Sequence, residues 1–169
     1  YDNEAYMNTG IQRSSATPLG AWTTTTPGSH TKSHAKKDIL AILAAHRVPY
    51  AASATLAWPE DLLAKVAKAK ATRGMRFLHL LAPCPPGWKT EDAETIELSR
   101  LAVRSRVFPL LEVEGGVTWR LTVRPDPVPV AEYLARQGRF RHLGDAEVRA
   151  IQEGVDARWR ELEGRAAGA

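Results

Sequence analysis

The sequence predicts an α/β fold, a parallel sheet flanked by helices with a C-terminal hairpin and two closing helices. Three observations carry this expectation. Strand-like apolar runs at 48–54 and 76–82 alternate with helix-like segments, the order that builds parallel sheets. Gly115-Gly116 lies between two strand-like runs and signals a hairpin. The 169 residues, 44% of them hydrophobic, suffice for one domain with its own core.

Taken in order, Asp38 caps a short helix whose positions Ile39, Ile42, Leu43 and His46 are expected to face the core. Val48–Ala54 reads as a buried strand. The following helix has Pro59 in its first turn, Glu60 and Asp61 at the positive dipole end, Lys65, Lys68 and Lys70 toward the other, and Gly74 as terminator. Arg76–Ala82 is nearly continuously apolar, as expected of a central parallel strand covered on both faces. His79 within it reads as a core histidine with its hydrogen bonds met. The loop Pro83–Trp88 follows at the carboxyl end of that strand, where open α/β sheets bind ligands. A helix over about 91–104, strands at 108–113 and 117–122, and helices near 129–137 and 145–163 complete the chain. In the last helix Val148, Ile151, Val155, Trp159 and Leu162 form a packing stripe at spacings of three and four.

Composition narrows the function classes. The net charge is +4, but Lys and Arg are scattered beside Glu and Asp, which describes a solvated surface and not a nucleic-acid face. One cysteine excludes an internal disulfide and fits a reducing compartment. No apolar run approaches the roughly 18 residues of a membrane span, and no signal peptide opens the chain, so a cytoplasmic protein with no membrane partner is expected. A Walker loop, a Gly-rich dinucleotide fingerprint, HExxH and GxSxG are all missing. A chain that opens without Met on site-like residues reads as an N-terminally truncated segment or one piece of a split subunit.

The chemistry concentrates in the first eighteen residues. Asn3, Asn8, Thr9, Gln12, Ser14, Ser15 and Thr17 offer neutral donors and acceptors, and Gly10 permits close backbone approach. Such oxygens suit a hard divalent cation that carries a phosphate, with the Asn3 amide and the Ala5 carbonyl converging on one ion; an Asn/Asp-rich turn is the plainer alternative. Residues 7–37 form a polar connection of a length that usually wraps a ligand or partner. Within it, Thr23–Thr26 reads equally as an edge strand. His30 and His34 have the spacing of a helical metal pair but read as solvated loop. Cys84, taken alone, is a small buried hydrophobe.

The stretch Asp2-Asn3-Glu4-Ala5-Tyr6-Met7-Asn8-Thr9-Gly10-Ile11-Gln12-Arg13-Ser14 resembles the second half of the thiamine-diphosphate motif in the beta subunit of pyruvate:ferredoxin oxidoreductase. Gly20–Pro27, Leu81–Trp88 and Tyr133–His142 resemble that family too. The resemblance implies a thiamine-diphosphate-binding fold, N-terminally incomplete, in which 1–125 is the C-terminal part of the cofactor-binding domain and 126–169 a helical extension. It implies Asn3 and Ala5 as ligands of Mg2+, and Tyr6, Met7, Asn8 and Thr9 along the cofactor. Asn8 would be catalytic, beside cofactor and 2-oxoacid. It implies Cys84 as the last thiolate of a 4Fe-4S cluster, whose other cysteines lie outside this chain, as does the Gly-Asp-Gly turn that completes the Mg2+ shell. Ser15 stands where glycine is expected and Pro86 where threonine is common.

The implied activity is oxidative decarboxylation of pyruvate with coenzyme A to acetyl-CoA and CO2, electrons passing through the cluster to ferredoxin, or the reverse synthesis. Other subunits of the oxidoreductase are the implied partners, and the fragment alone is expected to be inactive. A related oxidoreductase for another 2-oxoacid, and a non-catalytic scaffold of the same fold, are the alternatives.

Overall fold

The computed structural model describes residues 1–168. No regular helix or strand precedes Asp38. Then come α1 (Ile39–Ala45), β1 (Tyr50–Thr55), α2 (Pro59–Ala71), β2 (Arg76–Leu81), α3 (Pro85–Trp88), α4 (Thr95–Arg104), β3 (Leu111–Glu114), β4 (Thr118–Leu121), α5 (Val130–Ala135) and α6 (Asp145–Ala167). The α/β class holds. The strands lie in the order β2-β1-β3-β4, with β1 and β2 parallel and the other two pairs antiparallel. The hairpin is therefore not an appendage: β3 pairs directly with β1 and makes the sheet mixed.

The local signals explain these elements. Asp38 caps α1, its Oδ1 accepting from the Ala41 N–H at 3.1 Å. Gly115 and Gly116 both adopt positive φ, 58° and 74°, as the central residues of a tight turn closed by Val117 N–H on Glu114 O at 3.1 Å, within a three-residue loop between the paired Glu114 and Thr118. β1 is buried at every position and is the central strand. Tyr50 and Ala52 pack toward Ala69 of α2, while Ala51 packs on the other face with Leu40 and Ala44 of α1 and Leu162 of α6. A larger core gathers Leu81, Trp88, Leu98, Leu101, Tyr133 and Phe140, joining α4 and α5 to the strand ends.

Three expectations need correction. β2 is not central: it lies at the edge of the sheet, and Phe77 to Leu80 are only half-buried. An apolar run reports the environment a strand is built for, and here one side of β2 has no strand neighbour. In α1 the buried positions are Leu40 and Ala44, whereas Ile42 is 43% exposed and His46 is exposed. Seven residues hold too few turns for spacing alone to fix the face. Thr23–Thr26 is no strand but a tight turn, its ends bonded to each other by both main-chain groups. The α6 stripe behaves as expected, with Trp159 and Leu162 buried and Val148, Ile151 and Val155 packed on the core.

Candidate functional site

The first residues run alongside β2. Asp2 forms a parallel bridge with Leu81, its N–H donating to Leu80 O at 2.7 Å and its carbonyl accepting from Ala82 N–H at 2.9 Å. This pairing puts Asn3 beside the carboxyl end of β2, from which Pro83 and Cys84 lead into α3. The Pro83–Trp88 segment is thus partly helical: Cys84 is the N-cap, Pro85 and Pro86 fill the opening positions where a missing N–H costs nothing, and Lys89 closes the turn at φ 55°.

The two segments are stitched together. The Trp88 indole N–H donates to Asn3 O at 2.9 Å, from a ring that is fully buried. Met7 packs into the space that Gly87 leaves open: a methyl group at Gly87 would sit 2.3 Å from Met7 Sδ, and 3.7 Å from Cys84 Sγ. Asn3, Met7 and Cys84 are therefore neighbours at one end of the sheet. Tyr6, Asn8 and Thr9 occupy the exposed part of a loop closed by the reciprocal Tyr6–Gln12 bonds at 2.9 and 3.1 Å. Thr24 fastens that loop by donating to the carbonyls of Gly10 and Ile11.

What holds the Asn3 turn is a buried charge network that sequence reading did not pick out. Glu4 adopts φ 69°, a left-handed conformation that is costly for a residue with a Cβ. Four contacts hold it there. Its N–H donates to Asp2 Oδ1 at 2.9 Å, its carbonyl accepts from Thr17 Oγ1 at 2.8 Å, and its carboxylate accepts from Lys36 at 2.8 Å and from Arg139 at 2.5 Å. Arg139 is 2% exposed, stacks 3.9 Å over Trp88, and donates through Nε to Gln137 Oε1. Lys36 also pairs with Asp2, whose Oδ2 accepts from His79 Nε2 at 2.7 Å. His79 is thus partnered by Asp2, but it lies half-buried on the edge strand and not in the core as expected. Burial would raise the Asp2 carboxyl, but the His79 hydrogen bond and the Lys36 ammonium outweigh it and hold the group at about 2.

Among the described residues neither the Asn3 side chain nor the Ala5 carbonyl has a hydrogen-bond partner, and Cys84 is a free, half-buried thiol. Both nearby carboxylates, Asp2 and Glu4, are engaged in the network. An amide oxygen at Asn3 and a main-chain carbonyl at Ala5 are neutral oxygens, the donor chemistry that suits a hard cation such as Mg2+. No group of three or more His, Cys, Asp or Glu that could hold a metal occurs among the described residues. His30 and His34 each approach an adjacent serine hydroxyl at 3.0 Å on an exposed loop. No helix among the described residues is long and apolar enough to cross a membrane.

The signal that would have found the network is the placement of two acids on either side of Asn3, in a turn where neither caps a helix. Its basic members arrive from far along the chain: Lys36 from the polar connection and Arg139 from a 3-10 turn after α5. That connection is strapped to the same turn, Trp22 N–H donating to Arg139 O at 2.9 Å.

No family model matches the chain. Across 96% of its length it is 47% identical to the ketoisovalerate oxidoreductase subunit VorB of Pyrococcus abyssi, of which it covers 54%. It is 51% identical to the pyruvate synthase subunit PorB of Methanothermobacter thermautotrophicus, over 96% of this chain and 57% of that one. With PorB of Methanocaldococcus jannaschii the identity is 49%, over 92% and 53%. The resemblance read from the first residues is borne out, and the chain spans about half the length of the curated relatives it matches.

Proposed function

We propose that this chain, a homologue of the B subunits of pyruvate synthase and ketoisovalerate oxidoreductase, is the cofactor-gripping part of a 2-oxoacid:ferredoxin oxidoreductase acting on pyruvate. The observation that carries the reading is the junction of two segments 85 residues apart, where Trp88 ties the Asn3 turn to the Cys84 loop. In this reading the Asn3 amide oxygen and the Ala5 carbonyl hold Mg2+ with the diphosphate, and Cys84 supplies one thiolate to a 4Fe-4S cluster completed by cysteines outside the chain. Thiamine diphosphate, when bound, supplies the electron-accepting chemistry that lets a 2-oxoacid lose carbon dioxide.

The chain's own residues orient and shield. The Glu4 turn, fixed by Lys36 and Arg139, keeps Asn3 and Ala5 in register with β2. Met7 fills the space against Gly87 and excludes water beside Cys84. Tyr6, Asn8 and Thr9 extend from the same loop, and Asn8 directs its amide to the substrate. The partner subunits, coenzyme A and ferredoxin complete the reaction, in the cytoplasm, with no nucleic acid or membrane involved.

Calorimetry on the assembled oxidoreductase tests this reading. Asn3→Ala should weaken Mg2+-dependent thiamine diphosphate binding about tenfold, equivalent to about 1.4 kcal/mol; unchanged binding overturns the assignment. Comparison of kcat/KM for pyruvate and ketoisovalerate in the same assembly decides the substrate. A scaffold of this fold would bind no thiamine diphosphate.

A further inference from the structure

Between α5, α6 and the polar connection lies a cleft of about 290 Å3, near the lower end of the range for ligand pockets. Leu134, Phe140, Ile151 and Val155 give it apolar walls. From α6 it is also lined by Ala150 and Gly154, one turn apart. A methyl group at Gly154 would meet nothing within 4 Å. Glycine inside a helix is unfavourable relative to alanine, and here it leaves open a space that no neighbouring side chain fills.

Two polar side chains of the cleft are left without partners. Tyr133 lines it and is 1% exposed, and among the described residues its hydroxyl has no hydrogen-bond partner. A buried polar group in that state calls for an explanation. Burial pushes the Tyr133 phenol up, so it stays protonated and able to donate. Three cations line the same cleft. Lys36 is paired with Asp2 and Glu4, and Arg158 with Asp38. Arg106 pairs with no carboxylate among the described residues: its Nε is buried without a partner, and its guanidinium lies 4.6 Å from the centre of the Trp159 ring. The one carboxylate of the lining, Glu4, is already taken by Lys36 and Arg139. An apolar space with a free guanidinium and a free hydroxyl donor is complementary to an anion that carries a hydrophobic body.

We propose that this cleft binds a small apolar organic acid, with Arg106 and the Tyr133 hydroxyl as partners of its carboxylate and Leu134, Phe140, Ile151 and Val155 along its hydrocarbon part. Neither Asn3, Ala5 nor Cys84 lines the cleft, so binding here stands or falls separately from the binding of thiamine diphosphate. Glu4 belongs to both the cleft and the Asn3 turn, and it is the residue through which an occupant would bear on that turn.

Isothermal titration of the full chain with octanoate tests this, with octanol as the uncharged probe of equal length. Octanoate should bind about tenfold more tightly than octanol. Arg106→Gln should remove that preference, and Tyr133→Phe, which deletes only the hydroxyl, should weaken octanoate about fivefold. Gly154→Leu places a branched side chain in the open space on a residue that favours helix, and should weaken both probes about tenfold or more. Absence of octanoate binding, equal affinity for the two probes, or octanoate affinity unchanged in any of the three variants overturns the proposal. The comparison of octanoate with octanol needs no substitution, so it decides the question even where a variant does not fold.

Discussion

The indole N–H of Trp88 donates to the main-chain carbonyl of Asn3 at 2.9 Å, joining the start of the chain to the turn after β2. The Trp88 ring is fully buried and the Asn3 turn half-buried, so the bond is costly to lose without replacement. Around it the ring of Trp88 meets Tyr133 edge-on at 6.4 Å and carries Arg139 on its face. The junction therefore couples the Asn3 turn, the Cys84 loop and the residues after α5 in one packed unit.

Trp88→Phe keeps an aromatic ring in place and deletes the donor. The expected loss is about 1–3 kcal/mol in urea unfolding, the cost of a buried acceptor left alone. Amides of residues 4–6 should exchange faster in the same variant.

Glu4 and Arg139 are each 2% exposed and 2.5 Å apart. Glu4→Gln strands the buried Arg139 charge and should cost about 3–5 kcal/mol, whereas Arg139→Met leaves Glu4 paired with Lys36 and should cost less. The double variant should be more stable than the sum of the two losses predicts, since neither charge is then left alone. Chemical denaturation of the three variants checks both statements.

Acid should loosen the same turn. The Asp2 carboxyl sits at about 2 when folded and at 3.8 when unperturbed, so the folded state favours the ionised form. Its contribution, about 2 kcal/mol, is present in full above the unperturbed value and is lost as pH falls through 3.8 toward 2. Stability measured between pH 5 and about 2 should fall less steeply in Asp2→Asn than in the unsubstituted chain.

The hairpin meets α1 through Gly116. A methyl group there would lie 2.2 Å from Ala44 O and 2.9 Å from Arg47 Cα, both main-chain atoms that do not yield cheaply. At Gly115 the nearest atom is 4.0 Å away. Gly115→Ala should therefore cost only the left-handed strain, about 1 kcal/mol, and Gly116→Ala about 2 kcal/mol or more beyond that. Equal losses in thermal denaturation would contradict the observed seating of the hairpin on α1.

Much of the fold was legible because its punctuation is local. Asp38, Pro59 and the Gly115-Gly116 pair each act within a few residues and mark the same boundaries in the structure. The edge position of β2 was not legible, because Phe77 to Leu81 record burial on both sides, whichever strands are present. At the site, the proximity of Asn3 to Cys84 was expected from resemblance alone. The Glu4–Arg139 pair escaped because it joins residues 135 apart, and no spacing rule reaches that far.

The claim that Cys84 and the Asn3 turn form one redox site is tested most directly by spectroscopy of the assembled oxidoreductase carrying Cys84→Ala. The account predicts loss of the electron paramagnetic resonance signal of one 4Fe-4S cluster, with thiamine diphosphate bound as tightly as before. A full complement of cluster signals in that variant would contradict it.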